Sequence, residues 1–457
     1  MMKIIIEPTK EIEVLVEVDV LVVGGGPAGM AAAIGAAREG AKTLLIERFG
    51  CFGGMMTTAG VESIAWWRHE HTIDAGGIAQ EFEERAQAFG ATTPEVQSIS
   101  QAINAEMFKV VADEFLAESG VERLLHMMAV DVLMDNNSVT GVITESKSGR
   151  KAILAKVVID CSGDADIAAF AGADFTKPPR EKLMSVTTVF NCSNIDKSRF
   201  FADIAKTKPT YNDWGKDEDN QNWSYEIHES CQEMFSPYLG KVFAKAKKEG
   251  LVPEGVTLGG SWSTITDHGD ANYMNVQSMA GIDCTDVFDL TKAEIEGRKQ
   301  ALCAIEALRK MQPGFENAVL KNFGMTIGTR ESRHIVGRTR LTENDIVNQG
   351  RHWDSIGIFP EFIDGNGKLK LPLEPRYFQI PYGALLPTHV DNLLVCGRAI
   401  DSDAFAHATT RNMACCAVTG QGAGVAAALS IKQNVHCRDV DISAVQAALE
   451  LQGVRIK

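Results

Sequence analysis

The chain has 457 residues, of which 45% are hydrophobic and 23% charged, and its formal net charge is −15 at pH 7. A chain of this length exceeds the usual size of one domain, so we expect two or three lobes. The acidic balance argues against non-specific binding to nucleic acid or to anionic membranes and disfavours a flavoprotein that acts on transfer RNA. No apolar run reaches the length of a membrane span.

The start of the chain and its cysteines indicate the compartment. Residues 1–8 have too short an apolar run, followed by acid, for a secretory signal, so we expect a cytoplasmic protein. The ten cysteines include no C-x-x-C pair, so zinc sites, iron–sulfur clusters and thioredoxin-like pairs lack their usual spacing. We expect reduced, buried thiols and no metal site. The vicinal pair Cys415-Cys416 leaves a redox role open.

Residues 18–23 form an apolar, β-branched strand that leads into a glycine turn, Gly24-Gly25-Gly26-Pro27-Ala28-Gly29. A small-residue helix follows at residues 31–37, and a second apolar strand at residues 43–46 ends at Glu47. In G-x-G-x-x-G, the first glycine makes the tight turn, the second admits a pyrophosphate and the third lets helix and strand pack closely. The acid is placed to accept from ribose hydroxyls. This order predicts a dinucleotide site and disfavours a 2′-phosphate.

A second glycine cluster, Gly50-Cys51-Phe52-Gly53-Gly54-Met55-Met56-Thr57, follows almost immediately. Together with the first turn and the acidic strand end, it resembles the FAD-binding glutathione-reductase-like superfamily. There the second cluster runs beside the phosphates and ribityl chain of the flavin. The resemblance implies an α/β fold with a Rossmann-type FAD-binding domain and FAD as cofactor. Residues 53–60 contain no histidine, so we expect non-covalent FAD.

Two further segments match the same superfamily. One is a predicted strand at residues 120–130, and the resemblance implies that its end, Ala129 and Val130, contacts the adenine end of FAD. Residues 157–164 form an apolar strand that ends in Asp160-Cys161-Ser162-Gly163-Asp164, which matches a D-[AC]-[ST]-G-D motif whose backbone lies against the dinucleotide. Asp166 is expected to cap the next helix.

The composition changes near residue 177, with scattered prolines, tryptophans and a charged stretch. We interpret residues 181–375 as an inserted α+β substrate or cap domain, flanked by residues 1–180 and 376–457 as the two parts of the FAD-binding domain. A strand is expected at residues 185–191.

An amphipathic helix is predicted at residues 291–311, with Thr291 and Glu294 as a capping box. Earlier in the chain, Trp66 and Trp67 pack in the core or form one wall of an active-site cavity.

The segment from Gly328 to Gly337 places Arg330, Arg333 and His334 beside a predicted strand. A buried guanidinium needs an anion or a carbonyl as partner. The pattern R-E-S-R-H-I-V-G, followed by L-T-E-N-D, resembles the bacterial family labelled "FAD-dependent oxidoreductase". The other segments that fit this family are residues 289–298, 380–387, 392–398 and 420–424.

Residues 392–396 are expected to form the last strand of the flavin-binding sheet, after which Gly397-Arg398 turns toward the cofactor. The closing helix is predicted at residues 411–429, where Gly420 and Gly424 permit close approach to the first helix. The resemblance implies that this helix points its N-terminus at the flavin pyrimidine ring.

The residues expected to bind FAD are Gly24, Gly26, Pro27, Ala28, Gly29, Glu47, Arg48, Gly53, Gly54, Met55, Thr57, Val130, Ser162, Gly163, Asp164, Gly397, Arg398 and Gly422.

For catalysis we expect His407 as the acid or base, with a core or surface histidine as the open alternative, and Arg330 and Arg411 as cations that hold an anionic substrate. The chain departs from its relatives here, because Ala404 stands where many of them have a histidine, three residues before His407. Catalytic residues therefore do not transfer directly from the family.

These patterns predict an enzyme that transfers a hydride between flavin N5 and a small polar metabolite, namely a sugar, a hydroxy acid or an unsaturated acid. A second G-x-G-x-x-G is absent, so a separate electron acceptor or donor is expected. One alternative is an ene-reductase of the fumarate-reductase kind, with Arg330, Arg333 and Arg411 holding carboxylates. Another is a non-catalytic binding protein on the same fold, and a homodimer is left open.

Overall fold

The computed structural model describes residues 4–6, 8–64, 73–94, 99–204, 206, 237–262, 264–365, 368–370 and 375–457. The first elements are β1 (Glu13–Val23), α1 (Pro27–Arg38), β2 (Thr43–Ile46), α2 (Gly77–Ala88), β3 (Thr92–Pro94), β4 (Gln101–Ile103), α3 (Ala105–Glu118), β5 (Glu122–Leu124), β6 (Met128–Asp135), β7 (Ser138–Ser146), β8 (Gly149–Asp160), α4 (Asp166–Phe170) and β9 (Phe175–Thr176). The middle elements are β10 (Phe190–Ser193), α5 (Lys197–Ile204), α6 (Pro237–Lys248), β11 (Thr257–Ser261), β12 (Thr264–Ile265), β13 (Ala271–Ser278), α7 (Val287–Met311), β14 (Val319–Phe323), β15 (His334–Ile335), α8 (Glu343–Val347), β16 (Ser355–Pro360), β17 (Ile363–Gly365) and β18 (Lys368–Lys370). The last elements are β19 (Tyr377–Pro381), β20 (Leu393–Val395), α9 (Ala404–Thr410), α10 (Met413–Gln433) and α11 (Ile442–Leu451).

The larger sheet has the strand order β5-β2-β1-β8-β7-β6, and β20 also pairs with β8. The pairs β5-β2, β2-β1, β1-β8 and β8-β20 are parallel, whereas β6 and β7 form an antiparallel extension. Val23 at the end of β1 pairs with Ile46 and Asp160, and Asp160 pairs with Val395. The carboxyl ends of these strands therefore meet at one edge, outside which ligands bind in such sheets. The predicted α/β class with a parallel sheet is confirmed.

The last long helix, α10, packs directly against α1. A Cβ on Gly420 would lie 2.0 Å from Ala28 O, and one on Gly424 would lie 2.0 Å from Ala32 O. The predicted close approach of the two helices is thus confirmed. By length and composition α10 could cross a bilayer, but 89% of its apolar window is buried inside the protein, which is the position of a core helix.

A smaller antiparallel sheet lies between the two parts of the nucleotide-binding fold in sequence. Its order is β11-β13-β10-β14, with β12 paired to β13, and α6 and α7 contact it. Its own apolar core includes the buried rings of Phe200, Phe243, Trp262 and Phe315. This is the α+β composition expected of a cap domain, whose boundaries at residues 181 and 375 stay predictions.

The predicted strand at residues 185–191 is correct only at its end, because β10 begins at Phe190. Before that point Val186 and Thr187 make isolated bridges to Met279 and Gly328.

The helix predicted from residue 291 begins earlier. Asp286 is the N-cap, and its carboxylate accepts from the N–H groups of Phe288 and Asp289. Thr291 instead donates its hydroxyl to Val287 O, one turn back inside α7. The capping box assigned to Thr291 is therefore wrong, since a better carboxylate cap lies five residues upstream.

Two other boundaries also differ. Asp166 is not the cap of α4, because Ala165 takes that position with a left-handed φ of 53°, and Asp166 accepts from Arg333 instead. The helix predicted at residues 411–429 is α10, which begins two residues later and ends four residues later. Asn412 is its N-cap, and Arg411 is instead the C-cap of the preceding helix α9.

The cysteines that the structure describes, all except Cys231, are free thiols. Burial raises the pKa of Cys415 well above its ordinary value and that of Cys416 to about 12. Neutral buried thiols are poor nucleophiles, which gives no support to a redox role for this pair.

The glycine contact between α1 and α10 predicts that substitution by alanine destabilises the protein at Gly424 but not at a helical glycine with open space around it. Gly424→Ala would place a methyl group against Ala32 O, so we expect a loss of about 1–3 kcal/mol in the free energy of unfolding. Gly240→Ala in α6 is the control, because a Cβ there meets no atom within 4 Å, and it should be neutral or stabilise by less than about 1 kcal/mol. Urea unfolding measures both, and equal changes would contradict the packing argument.

Candidate active site

The turn between β1 and α1 is shaped by contacts that exclude side chains. A Cβ on Gly24 would lie 2.3 Å from Cys161 O, and one on Gly29 would lie 1.7 Å from Gly24 O. Gly24 also has a φ of 103°, in the left-handed region. At Gly26, however, a Cβ would meet no atom closer than Gly54 Cα at 3.7 Å. The fold itself requires the first and third glycines, whereas the second presents bare backbone to the cleft.

The N-terminus of α1 directs backbone donors into the same space. Its N-cap is Gly26, its first residue is Pro27, and no described side chain caps it. The N–H groups of Ala28 and Gly29 precede the first intrahelical bond, from Met30 N to Gly26 O. Such donors, together with the helix dipole, form a site for phosphate.

The second glycine loop crosses over the first. Gly53 N donates to Gly25 O at 2.8 Å. Gly54 has a φ of 54°, and a Cβ on it would lie 2.6 Å from Gly26 Cα. The two loops thus approach through glycine backbone alone, which leaves room beside them for a ligand.

Glu47 lies at the end of β2 with 6% of its surface exposed. Its carboxylate accepts from Gly25 N at 2.6 Å and from Phe49 N at 2.9 Å. Each carboxylate oxygen has a second lone pair, so Glu47 can still accept from ribose hydroxyls.

A buried ion pair joins Asp164 to Arg398 beyond the end of β8. Arg398 Nη2 and Ser332 Oγ each donate to Asp164 Oδ1 at 2.6 Å. Burial would raise the pKa of Asp164, but Arg398 and the Ser332 hydrogen bond outweigh it and lower this pKa below its ordinary value. Arg398 Nε is buried with no hydrogen-bond partner among the described residues, and Arg398 itself lines the cleft described next.

These elements surround one extended cleft of about 1690 Å³, including its open mouth. Met127, Met128 and Ala129 line one part of it, whereas Tyr273, Arg330 and Arg411 line another. The residues predicted to bind FAD that line the cleft are Gly24, Gly26, Pro27, Ala28, Glu47, Arg48, Gly54, Met55, Ser162, Gly163, Gly397 and Arg398.

The other predicted FAD residues lie behind the lining, where Gly29, Gly53 and Asp164 support it. Thr57 donates its hydroxyl to Phe52 O at 2.7 Å, and the cleft is lined by Thr58 instead.

Val130 and Gly422 also lie behind the lining. Val130 follows Met128 and Ala129, which line the cleft in its place. A Cβ on Gly422 would lie 2.6 Å from the side chain of Ile356, so this glycine serves helix packing.

Arg330 and Arg411 meet where the smaller sheet faces the cleft. Arg330 Nη1 donates to Ser185 O at 2.9 Å, and Arg411 Nη2 donates to Asp364 Oδ2 at 3.1 Å and to Asp364 O. Burial, followed by repulsion from Arg411, lowers the pKa of Arg330. Arg411 Nε is buried without a hydrogen-bond partner in the described part of the chain. Two guanidinium groups therefore share one nearby carboxylate.

Tyr273 on β13 is a cleft residue that the sequence did not indicate. Its φ of 53° is rare for a bulky side chain, and such strain concentrates at functional sites. The Asn275 amide lies 3.3 Å from the Tyr273 hydroxyl and hydrogen-bonds with the Thr187 hydroxyl at 2.8 Å. Burial raises the pKa of Tyr273, although Arg330 and Arg411 oppose this rise, so the phenol stays protonated at neutral pH.

His407 on α9 is placed behind Arg330 and is not part of the cleft lining that the structure describes. Its Nε2 lies 3.0 Å from Arg330 O, and the side chain is almost fully buried. Burial, together with repulsion from His334 and Arg411, lowers the pKa of His407 well below its ordinary value. The neutral ring thus fixes the backbone of Arg330 and does not reach the cleft directly.

Arg333 does not join the other arginines. Its Nη1 donates to Asp164 O and to Asp166 Oδ1, both at 2.9 Å, and its guanidinium lies over the Phe175 ring. Trp66 and Trp67 lie outside the described residues. Among the cleft residues missed by the sequence, Tyr273, Asn275 and Asp364 lie on β13 and β17, where no motif or periodicity distinguishes them.

The residues present fit a dinucleotide at the phosphate end. The bare backbone at Gly26 leaves space for a pyrophosphate, and the uncapped N–H groups of Ala28 and Gly29 can donate to it. Arg398, whose Nε has no hydrogen-bond partner among the described residues, lines the same cleft.

Several known proteins are similar to this chain in sequence or in structure. The thiamine thiazole synthase of Methanococcus vannielii is 30% identical over 164 residues, which are 34% of this chain and 59% of that protein. The digeranylgeranylglycerophospholipid reductase of Picrophilus torridus is 26% identical over 199 residues, 41% of this chain and 50% of that protein. The chain thus spans less than two thirds of these relatives. A geranylgeranyl bacteriochlorophyll reductase-like protein from Thermoplasma acidophilum has a TM-score of 0.46 at 16% identity, over 95% of this chain and 83% of that one.

The broadest match is to a family. The model of the family described as FAD dependent oxidoreductase matches residues 19–449, from β1 to α11. That span includes the glycine turn, the Asp164–Arg398 pair and the two arginines of the cleft. The chain therefore belongs to the FAD dependent oxidoreductase family, and its cofactor is FAD.

Proposed function

We propose that the protein transfers a hydride between flavin N5 and a small polar metabolite that bears a carboxylate. FAD, when bound, supplies the site that accepts or gives the hydride. The observation that supports this substrate class is the pair Arg330 and Arg411, which line the cleft beside the single carboxylate of Asp364.

Charge balance favours an anion. A guanidinium stays protonated in proteins, so Arg330, Arg411 and Asp364 together leave one uncompensated positive charge. Burying such a charge is costly unless an anion pairs with it. A hydroxy acid or an unsaturated acid supplies that anion, whereas a neutral sugar does not. Of the three expected substrate classes, the two acids are therefore favoured.

Tyr273 is the group we assign to proton transfer. Tyr273 lines the cleft near both arginines, and its phenol stays protonated because burial raises its pKa. A protonated phenol is a donor, so this observation favours a second candidate, the reduction of an unsaturated acid, in which Tyr273 would give a proton to carbon. In this assignment His407 positions Arg330 through its carbonyl.

The test uses matched substrates under anaerobic conditions. Hydroxy acids should bleach the oxidised flavin, or unsaturated acids should restore its colour after reduction, and each active acid should exceed its methyl ester at least tenfold in rate. Equal rates for an acid and its ester would contradict the proposal that the cleft recognises a carboxylate. Activity with neutral sugars alone would show that the substrate is a sugar. Electrons would enter or leave through a separate partner.

The role of Gly26 predicts a change in cofactor affinity without a loss of fold. Gly26→Ala places a methyl group in the cleft and touches no atom within 3.4 Å, so the protein should fold and bind FAD at least about tenfold more weakly. Flavin fluorescence titration measures the affinity. Gly29→Ala is the contrast, because its methyl group would overlap Gly24 O and destabilise the apoprotein itself.

Removing the cleft charge should weaken substrate binding. Arg330→Gln is expected to raise KM for the acid by about 10–100-fold, since a hydrogen bond to a charged group contributes about 1.5–3 kcal/mol. Arg333→Gln is the matched control, because Arg333 donates to Asp164 O and Asp166 Oδ1 beside the cofactor part of the cleft and does not line the part that contains Arg330 and Arg411. Its KM for the acid at saturating FAD should stay within a factor of three. Steady-state kinetics on both variants decide; a larger effect at Arg333 would contradict the assignment.

Loss of the phenol should affect kcat more than KM. Tyr273→Phe is expected to lower kcat by about 10²–10⁴-fold with FAD binding unchanged. Tyr382→Phe is the control, because Tyr382 donates to Cys437 O inside the core and should change stability rather than kcat. An unchanged kcat in Tyr273→Phe would show that another group transfers the proton.

A further inference from the structure

Three buried side chains converge behind Arg330. They are Glu331, His334 on β15 and His407 on α9, each less than 5% exposed. One donor atom from each lies within 4.8 Å of the other two. The imidazole rings of His334 and His407 meet edge to face, with centroids 4.5 Å apart.

The outer nitrogen of each histidine faces a backbone carbonyl. His334 Nδ1 lies 3.4 Å from Ile400 O, and His407 Nε2 lies 3.0 Å from Arg330 O. A carbonyl only accepts, so each of these two nitrogens carries a proton, and in a neutral ring the other nitrogen does not. His334 Nε2 and His407 Nδ1 are therefore left with lone pairs, and this is the arrangement in which histidines bind metals.

Glu331 shows the same arrangement. Its Oε2 accepts from Met184 N at 2.9 Å, which fixes the carboxylate and leaves Oε1 3.6 Å from His334 Nε2. That distance is too long for a hydrogen bond. His407 Nδ1 is buried and has no hydrogen-bond partner among the described residues. Lone pairs thus face one another in a space where a cation would relieve their repulsion.

We propose that Glu331, His334 and His407 bind one divalent transition-metal ion, Zn²⁺ or Fe²⁺. Two imidazoles and a carboxylate suit these ions, whereas Ca²⁺ and Mg²⁺ take oxygen ligands. Around an ion with bonds of about 2.0–2.2 Å, donors lie roughly 3.3–3.6 Å apart, which the His334–Glu331 pair already satisfies. The sequence predicted no metal site, because that expectation rested on cysteine spacing.

The position of the site indicates a structural ion. It connects the loop that contains Arg330 to helix α9, whose C-cap is Arg411, so it would hold both cleft arginines in place. With one carboxylate ligand, the ion would also leave a positive charge behind the anion-binding part of the cleft.

The test is the metal content of the purified flavoprotein, expressed with zinc and iron supplied. Wild type should contain about one equivalent of Zn²⁺ or Fe²⁺ by inductively coupled plasma mass spectrometry. Glu331→Gln and His334→Asn should lower that content at least tenfold at equal FAD content. His389→Asn, at an exposed histidine, is the control and should retain the metal.

Wild type alone decides the question if the variants do not fold. An anomalous difference peak at the zinc or iron absorption edge should lie between the three donor atoms. Less than a tenth of an equivalent of metal in wild type, or a peak elsewhere in the molecule, would overturn the proposal. So would full metal retention in folded His334→Asn, and in each case a proton rather than a metal ion would occupy the cluster.

Discussion

The contact between α1 and α10 is the constraint on which the rest of the cofactor site depends. Gly420 and Gly424 bring the backbone of α10 against carbonyl groups of Ala28 and Ala32, so that no side chain separates the helices. Because α1 begins at the glycine turn and α10 begins beside the cleft, this contact fixes both helix N-termini at the carboxyl edge of one sheet. The phosphate donors and the opposite wall of the cleft are therefore one rigid unit.

The smaller sheet contributes a different kind of group to the same cleft. The nucleotide-binding sheet supplies backbone donors and glycine, whereas β13 and the loop before β15 supply Tyr273 and Arg330. Burial acts on these two in opposite ways, since it raises the pKa of the phenol and lowers that of the guanidinium. Both changes favour a neutral phenol and an anion-paired guanidinium, which supports the proposal that the cleft binds a carboxylate and that Tyr273 donates a proton.

The sequence predicted the parts of the molecule that depend on local chain geometry. Gly24, Gly29 and Glu47 follow a strand, turn, helix and strand in one short stretch, so their spacing alone determines their positions. Tyr273 and Asp364 could not be found, because tertiary folding brings them to the cleft from strands without a motif. His407 was expected to be the catalytic acid or base, but it is absent from the described cleft lining, and its Nε2 contacts Arg330 O instead.

The FAD site also has a consequence for how the protein is made. Its first residues, Gly24 to Gly29, and its last, Gly397 to Cys416, are separated by roughly 370 residues. At a synthesis rate of about 5–20 residues per second, the ribosome needs roughly 20–75 seconds after making the first residues of the FAD site to reach the last ones. During that time β8 lacks β20, and α1 lacks α10. Cofactor capture is therefore a late event in biogenesis, and the nascent chain must pass this interval with an open sheet edge.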